Sequence, residues 1–225
     1  MRLTFVDTET SGLPPDAGVC DIAIVTIDDN FNVVYALESL IDPERPIGAA
    51  ASGVHGIVDS MVADAPTLSE FMEMHGHPLD TSDLVFVAHS SRFDEGMLKA
   101  HLPRQYKRTC TLKLARNLFP DLENHQLQTI RFAFGLQAGP AHRAMGDVIT
   151  CISFVRHICR TKGWTLAQLV DAANQPLSLD SRISFGKHKG TKLRDVPKSY
   201  LSWALREMKE LDPELRAAFQ AIVSH

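Results

Sequence analysis

Cysteine is scarce in this 225-residue sequence, and none of its four cysteines is part of a C-x-x-C pair. The spacing is not that of a zinc site or a dithiol redox motif, so we expect free thiols in a reducing cytoplasm. Long apolar runs are also missing: no stretch reaches the ~20 residues that span a membrane, and we expect no membrane partner. Met1 leads directly into a strand-like run, which predicts no signal peptide.

The sequence has no excess of positive charge, because 23 Lys and Arg stand against 27 Asp and Glu, for a formal net charge of −4. That total argues against a polyanionic partner, but the distribution of charge matters more. Segment 182–216 contains nine basic and five acidic residues, and segment 101–119 contains five basic residues and no acidic one. The latter segment is compatible with either a groove that faces a polyanion or an ordinary solvated helix.

The order of predicted elements indicates an α/β protein with a mixed sheet flanked by helices. Strands are predicted at 2–7, 19–27, 33–41 and 83–88, with a strand-like run at 182–185. Helices are predicted at 67–75, 93–101, 111–119, 126–134, 143–162, 164–173, 197–208 and 213–223. We expect a main domain over 1–163, a connector over 164–181 and a small basic module over 182–225. The module is too small for a secure core of its own, so it should dock on the main domain.

Three acidic motifs occur in a fixed order. Asp7 and Glu9 stand two residues apart at a strand end, so both side chains share one face with Cα atoms about 7 Å apart. Asp94 opens a helix directly after a strand, where ligands bind in sheets of this kind. His142 and Asp147 would lie roughly 140° apart on one helix and would not share a face. Gly139-Pro140 just upstream predicts that His142 lies on a loop or a frayed first turn.

Each motif alone also has an ordinary structural explanation, such as a solvated strand end, a helix-capping acid or a surface histidine. Together, four carboxylates and one histidine suit the hydrolysis of a phosphodiester at two divalent ions. Hard oxygen ligands favour Mg²⁺ or Mn²⁺ over zinc.

Segments 5–13, 88–94 and 142–147 resemble the three motifs of the DEDDh (DnaQ-like) family of 3′→5′ exonucleases, which has a ribonuclease H-like fold. Segments 54–57 and 64–67 are similar to that family's substrate loop, and the resemblance extends from Met1 to about Lys162. It implies a metal-dependent exonuclease that releases 5′-mononucleotides from the 3′ end of single-stranded and duplex DNA.

The resemblance also implies individual roles. Two Mg²⁺ ions, replaceable by Mn²⁺, would be bound by Asp7, Glu9, Asp94 and Asp147. His142 would act as the general base toward the attacking water. The substrate would be contacted by Thr8, Thr10, Leu13, His55, Ser90, Phe93, Lys187 and Lys189.

Two positions depart from the family pattern. Ser90 stands where the family usually has an asparagine that helps to hold the terminal nucleotide. Serine is shorter and offers one donor instead of two, so we expect weaker binding of the 3′ end. Asp21 stands where the family often has glutamate, and we expect this shorter acid to matter less.

Segments 185–190, 196–197 and 200–203 resemble the C-terminal module of the exodeoxyribonuclease X branch of the family. The glycine-rich turn 186–190 is compatible with contacts to phosphate or with a solvated turn. Trp203, at helical spacing from Tyr200, fits a core position better than a platform for base stacking. Three alternatives stay open: an exoribonuclease, a polymerase-associated proofreading subunit and a protein that only binds DNA ends.

Overall fold

The computed structural model describes residues 1–224, which contain one five-stranded sheet flanked by helices. The strands are β1 (Leu3–Thr10), β2 (Val19–Ile27), β3 (Val33–Leu40), β4 (Val85–Ala88) and β5 (Lys107–Cys110). Their order across the sheet is β3-β2-β1-β4-β5. The first three strands pair antiparallel, whereas β4 pairs parallel with both β1 and β5. The predicted mixed, ribonuclease H-like sheet is therefore confirmed.

Ten α-helices lie within the described residues: α1 (Ala49–His55), α2 (Asp59–Val62), α3 (Leu68–Met74), α4 (Arg92–Met97), α5 (Thr111–Leu118), α6 (Leu127–Phe134), α7 (Ala144–Lys162), α8 (Leu166–Asn174), α9 (Lys198–Glu207) and α10 (Pro213–Ser224). All eight predicted helices occur, although the one predicted at 93–101 ends at Met97 and continues as a 3₁₀ turn. The strand predicted at 182–185 is wrong, because only an isolated bridge between Arg182 and Lys192 forms there. None of the helices described over 1–224 is long and apolar enough to cross a membrane.

The alternation of side chains along β1 explains why its acidic residues face α7. Phe5 is buried in the same cluster as Phe154 of α7, whereas Val6 is buried in a second cluster on the opposite face of the sheet. Successive residues of a strand point to opposite faces. Asp7 and Glu9 have the parity of Phe5, so the hydrophobic packing of β1 directs both carboxylates toward the α7 side.

The C-terminal segment has a hydrophobic cluster of its own, contrary to our expectation. Its buried members are Leu177, Ile183, Leu193, Val196, Tyr200, Leu201, Ala204, Leu211, Leu215, Ala218 and Phe219. The preceding helix α8 instead packs with α7, burying Leu166, Leu169 and Val170 in the main core. Residues 177–224 therefore form a separately packed unit, which we call the C-terminal module.

The module docks on the main domain through hydrogen bonds and ion pairs. Ser181 Oγ donates to the carbonyl oxygen of Arg116 at 3.0 Å. Lys113 Nζ lies 3.0 Å from Glu214 of the module, and Arg92 and Arg108 reach the same carboxylate at 3.7 and 3.8 Å. The basic segment 101–119 is thus neither an open groove nor a solvated helix. It forms β5 and α5. Its cations Arg108, Lys113 and Arg116 pair with Glu214 and with Asp212 just before α10, whereas Arg104 and Lys107 are exposed.

Candidate active site

The predicted acidic residues lie at one edge of the sheet, where β1 ends and where α4 and α7 begin. Asp7 and Glu9 lie near the end of β1, and Asp94 lies in the first turn of α4, which follows β4. Parallel pairing of β1 and β4 places the carboxyl ends of these strands side by side. Asp147 lies in the first turn of α7, the helix that covers this face of the sheet.

Asp94 is held rigidly by its neighbour on β1. The backbone N–H and the hydroxyl of Thr8 both donate to Asp94 Oδ1, at 3.1 and 2.9 Å. Asp94 is only 3% exposed, and these bonds fix one of its carboxylate oxygens. Thr8, predicted to contact the nucleotide, is thus placed to orient a carboxylate.

Glu9, His142 and Asp147 form a close group whose candidate ligand atoms all lie within 4.8 Å of one another. The backbone N–H of His142 donates to Asp147 Oδ2 at 3.1 Å, and Gln128 Nε2 donates to Asp147 Oδ1 at 2.8 Å. His142 is exposed on the loop before α7, as predicted, and has a positive φ of 56°. Gln128 was missed, because a single glutamine on an amphipathic helix carries no recognisable signal.

Burial raises the pKa values of all four carboxyl groups, and repulsion between the acids adds to this rise at Asp7 and Glu9. Burial, followed by the charges of Asp94 and Asp147, raises the pKa of Asp7 well above its usual range. Burial first, and then the charge of Asp147, raises the pKa of Glu9 to about 7. Burial raises the pKa of Asp94 to about 7 despite the hydrogen bonds from Thr8, and it also raises the pKa of Asp147. Such a cluster is stabilised by divalent cations, which remove the repulsion.

The donor set therefore fits hard divalent cations. Every candidate ligand except His142 is a carboxylate, and no cysteine belongs to the group. The four cysteines, Cys20, Cys110, Cys151 and Cys159, are free thiols, three of them buried. The geometry can hold divalent metal ions between β1, α4 and α7.

Asp21 contributes more to the structure around the site than we expected. It is fully buried on β2 and accepts hydrogen bonds from Arg143 Nε at 2.9 Å and from the backbone N–H of Ala144 at 3.3 Å. These contacts tie the start of α7 to the sheet, close to both His142 and Asp147.

Replacing Asp21 by Asn is expected to lower the free energy of unfolding by about 2–4 kcal/mol, because the substitution leaves the Arg143 guanidinium without its charged partner. Thermal unfolding in EDTA measures this loss. Asp42→Asn, which changes an acid near the end of β3, serves as the control. Equal stability of Asp21→Asn and the unaltered protein would show that the Arg143 contact does not anchor α7.

Some of the predicted substrate residues are exposed to solvent and others are buried. Leu13 is 82% exposed, and Phe93 is partly exposed beside Asp94. His55 is buried: its Nε2 donates to the Thr10 carbonyl oxygen at 3.2 Å, and its Nδ1 accepts from the backbone N–H of Ile57 at 3.0 Å. With both nitrogens engaged, His55 is placed to position Thr10. Lys187 and Lys189 are exposed on the C-terminal module.

Ser90 is exposed before α4 and adopts a positive φ of 68°. Asparagine tolerates this left-handed backbone better than serine does. Ser90→Asn is therefore expected to raise the free energy of unfolding by roughly 0.5–1 kcal/mol. It should also lower KM severalfold, because the amide adds donors for the substrate.

The matched variant Ser90→Gly relieves the backbone without adding an amide. Thermal unfolding and steady-state kinetics on an oligonucleotide compare the two variants. An equal KM for Ser90→Asn and Ser90→Gly would mean that the side chain at position 90 does not reach the substrate.

Comparisons with known proteins agree with this geometry. The RNase_T family model, described as an exonuclease, matches residues 4–154. The chain therefore belongs to the DEDDh, or DnaQ-like, family of 3′→5′ exonucleases, as the motifs predicted. A relative over nearly the whole length is exodeoxyribonuclease 10 of Escherichia coli K12, which is 32% identical over 221 residues, covering 95% of each chain.

Two further matches show how far the similarity extends. A DNA polymerase III subunit epsilon-like protein of Rhodobacter capsulatus is 33% identical over 168 residues, which cover 69% of this chain and 24% of that protein. The solved structure of exonuclease X in complex with 5′ overhanging duplex DNA aligns with a TM-score of 0.62 and 31% identity, covering 76% of this chain and 99% of that one. Escherichia coli exonuclease I, at 20% identity and a TM-score of 0.63, shares the fold.

Proposed function

We propose that this enzyme removes 5′-mononucleotides from the 3′ ends of single-stranded and duplex DNA. The observation that carries the proposal is a convergence at one sheet edge. Glu9, His142 and Asp147 have ligand atoms within 4.8 Å of one another, and Asp7 and Asp94 belong to the same charge cluster. The Escherichia coli relative, an exodeoxyribonuclease by name, aligns with this chain through the C-terminal module as well. The solved relative was bound to duplex DNA with a 5′ overhang, which supports a duplex end as one substrate.

The four carboxylates would hold two Mg²⁺ ions, for which Mn²⁺ would substitute. Bound there, the ions would supply positive charge to the scissile phosphate and lower the pKa of the attacking water. Thr8 keeps Asp94 in a fixed orientation, and Gln128 does the same for Asp147. This support leaves the carboxylates preorganised, so that little rearrangement is needed when the substrate binds.

His142 would receive the proton of the attacking water at its imidazole ring. The residue is exposed on a loop and is tied to Asp147 only through its backbone N–H, so the ring is free to approach the phosphate. Water then adds in line to the terminal phosphate, and the bond to the 3′ oxygen of the preceding nucleotide breaks. Leu13 and Phe93 flank the acids and would contact the terminal nucleotide.

A time course with 5′-labelled oligonucleotides tests the proposal directly. Single-stranded DNA, matched RNA and a DNA duplex are each incubated with Mg²⁺ and with EDTA, and Asp147→Asn controls for contaminating nucleases. We expect a Mg²⁺-dependent ladder on DNA that shortens from the 3′ end. A ladder on RNA alone would assign the chain to the ribonucleases instead, since the 2′-OH is the distinguishing group.

Two other assignments belong to this proposal. The similarity to a polymerase III epsilon-like protein keeps a proofreading partnership as the second candidate, and copurification with a polymerase would favour it. Robust activity of the isolated chain would weigh against it. The four free thiols fit a reducing compartment such as the cytoplasm.

A further inference from the structure

The C-terminal module has a surface cleft away from the acidic cluster. Its volume is about 580 Å³, and it is lined by Gly186, Lys187, His188, Pro197, Ser199, Tyr200 and Trp203. The first three residues belong to the glycine-rich turn, and Tyr200 and Trp203 belong to α9. None of the lining residues is acidic.

Trp203 does not occupy a core position, so that expectation is wrong. Its side chain is 44% exposed, whereas Tyr200, three residues earlier, is buried in the core of the module. The two rings lie with centroids 5.4 Å apart, and the ring of His188 packs edge-on against Tyr200 at 4.5 Å. Tyr200 thus supports one side of Trp203, and His188 packs against Tyr200 in turn, while much of the indole faces solvent. An exposed indole that is packed on one side against another ring is typical of a binding surface.

The glycine-rich turn packs closely against the ring of Tyr200. Gly186 has a φ of 64°, and a Cβ at this position would lie 2.5 Å from the Tyr200 hydroxyl. Only glycine allows the backbone to adopt that conformation and approach so closely. Lys187 Nζ lies 5.4 Å from the centroid of the Tyr200 ring, so its charge is held at the edge of the cleft.

The same turn also borders a second cavity, which separates the module from the main domain. That cavity has a volume of about 470 Å³ and includes Lys189, Arg116 and Arg182 in its lining. His89, the residue before Ser90, lines it as well. Glu123 lines it too, and Arg116 and Arg182 are paired with Asp212 and Asp121, which leaves Lys189 as the cation of this cavity without an ion pair among the described residues. The cavity connects the neighbourhood of Ser90 with the turn, and Lys189 is the charge that it offers to a bound strand.

We propose that this cleft is a second nucleic-acid site, in which Trp203 stacks on a base of a single-stranded segment while Lys187 and Lys189 contact its phosphates. Aromatic faces and lysines together are what sequence-independent binding of single strands requires. The site would bind the substrate strand at a second place, distant from the scissile nucleotide. The inference rests on the proposed function in that it takes the bound strand to be the DNA substrate.

Fluorescence of Trp203 tests the proposal. The chain has two tryptophans, so Trp164→Phe leaves Trp203 as the single indole. In EDTA, oligothymidylate of about 12 nucleotides should quench its emission in a saturable manner, since comparable sites span roughly 4–16 nucleotides. The double variant Lys187→Gln/Lys189→Gln should weaken this binding about tenfold, whereas Lys209→Gln, an exposed lysine outside the cleft, should leave it unchanged. Absence of quenching would overturn the proposal.

Kinetics separate this proposal from the proposed function. Trp203→Ala should raise KM for long single strands about tenfold and leave the hydrolysis of a dinucleotide unchanged, whereas Trp203→Phe should keep most of the affinity. Thermal unfolding checks that both variants are folded. Quenching without hydrolysis would refute the proposed function and leave this site standing. Hydrolysis with equal KM for Trp203→Ala and the unaltered protein would refute the site alone.

Discussion

Asp7→Asn is expected to abolish metal-dependent hydrolysis and, at the same time, to stabilise the metal-free protein. Loss of a central carboxylate should lower kcat by on the order of 10³-fold or more, because the ions can no longer be held in their working geometry. Stability should rise by about 1–2 kcal/mol near pH 8, because the substitution removes a desolvated charge that is repelled by Asp94, Asp147 and Glu9.

The direction of these pKa shifts determines how the stability of the metal-free protein changes with pH. The folded-state pKa values of Asp7, Glu9 and Asp94 are raised, the latter two to about 7 from ordinary values of 4.5 and 3.8. Between pH ~4 and ~7 the folded, metal-free protein therefore binds more protons than the unfolded chain. Its stability falls as pH rises through this window. The fall should be smaller in Asp7→Asn, which has one fewer carboxyl group with a raised pKa.

Thermal unfolding in EDTA from about pH 5 to pH 8.5 measures both effects, and a Mg²⁺ titration then shows how much stability the ion restores. Asp16→Asn removes an acid from the exposed loop after β1 and should change neither stability nor kcat. If Asp7→Asn were no more stable than the unaltered protein near pH 8 without metal, the carboxylates would not be under the repulsion described here.

The sequence contained enough to predict the acidic site, because its geometry follows from local periodicity. Asp7 and Glu9 share the face of Phe5, which is fixed by the burial pattern of β1. Asp94 and Asp147 follow helix starts that the apolar spacing reveals. His142 was placed on a loop or frayed first turn by its spacing from Asp147 together with Gly139-Pro140 just upstream, and the helix begins after it, at Ala144.

The features that escaped prediction depend on contacts between distant segments. β5 reads Lys-Arg-Thr-Cys, which is too polar for a strand pattern, and it forms because it pairs with β4. Glu214 lies far along the sequence from Lys113 and Arg108, so no local pattern shows that they meet. The exposure of Trp203 is likewise set by tertiary packing, since Tyr200 and Leu201 already fill the core beside it.

His142→Ala is expected to lower kcat by about 10²- to 10⁴-fold while the protein stays folded. The ring of His142 is exposed, and its only described hydrogen bond to the acidic cluster comes from its backbone N–H, which alanine retains. The loss of kcat should therefore fall on proton transfer, and the free energy of unfolding should drop by no more than about 1–2 kcal/mol from the left-handed backbone. His142→Asn, which tolerates the positive φ of 56° at this position, excludes backbone strain as the cause of the loss.

The Mg²⁺ dependence distinguishes two roles for His142, because its ring lies within 4.8 Å of ligand atoms of Glu9 and Asp147. A general base predicts that His142→Ala lowers kcat and leaves the Mg²⁺ concentration for half-maximal activity unchanged. A metal ligand predicts that this concentration rises, with activity recovering at high Mg²⁺. Steady-state rates over a Mg²⁺ series measure both quantities. Recovery of full activity would contradict the general-base role and add His142 to the four carboxylates as a ligand.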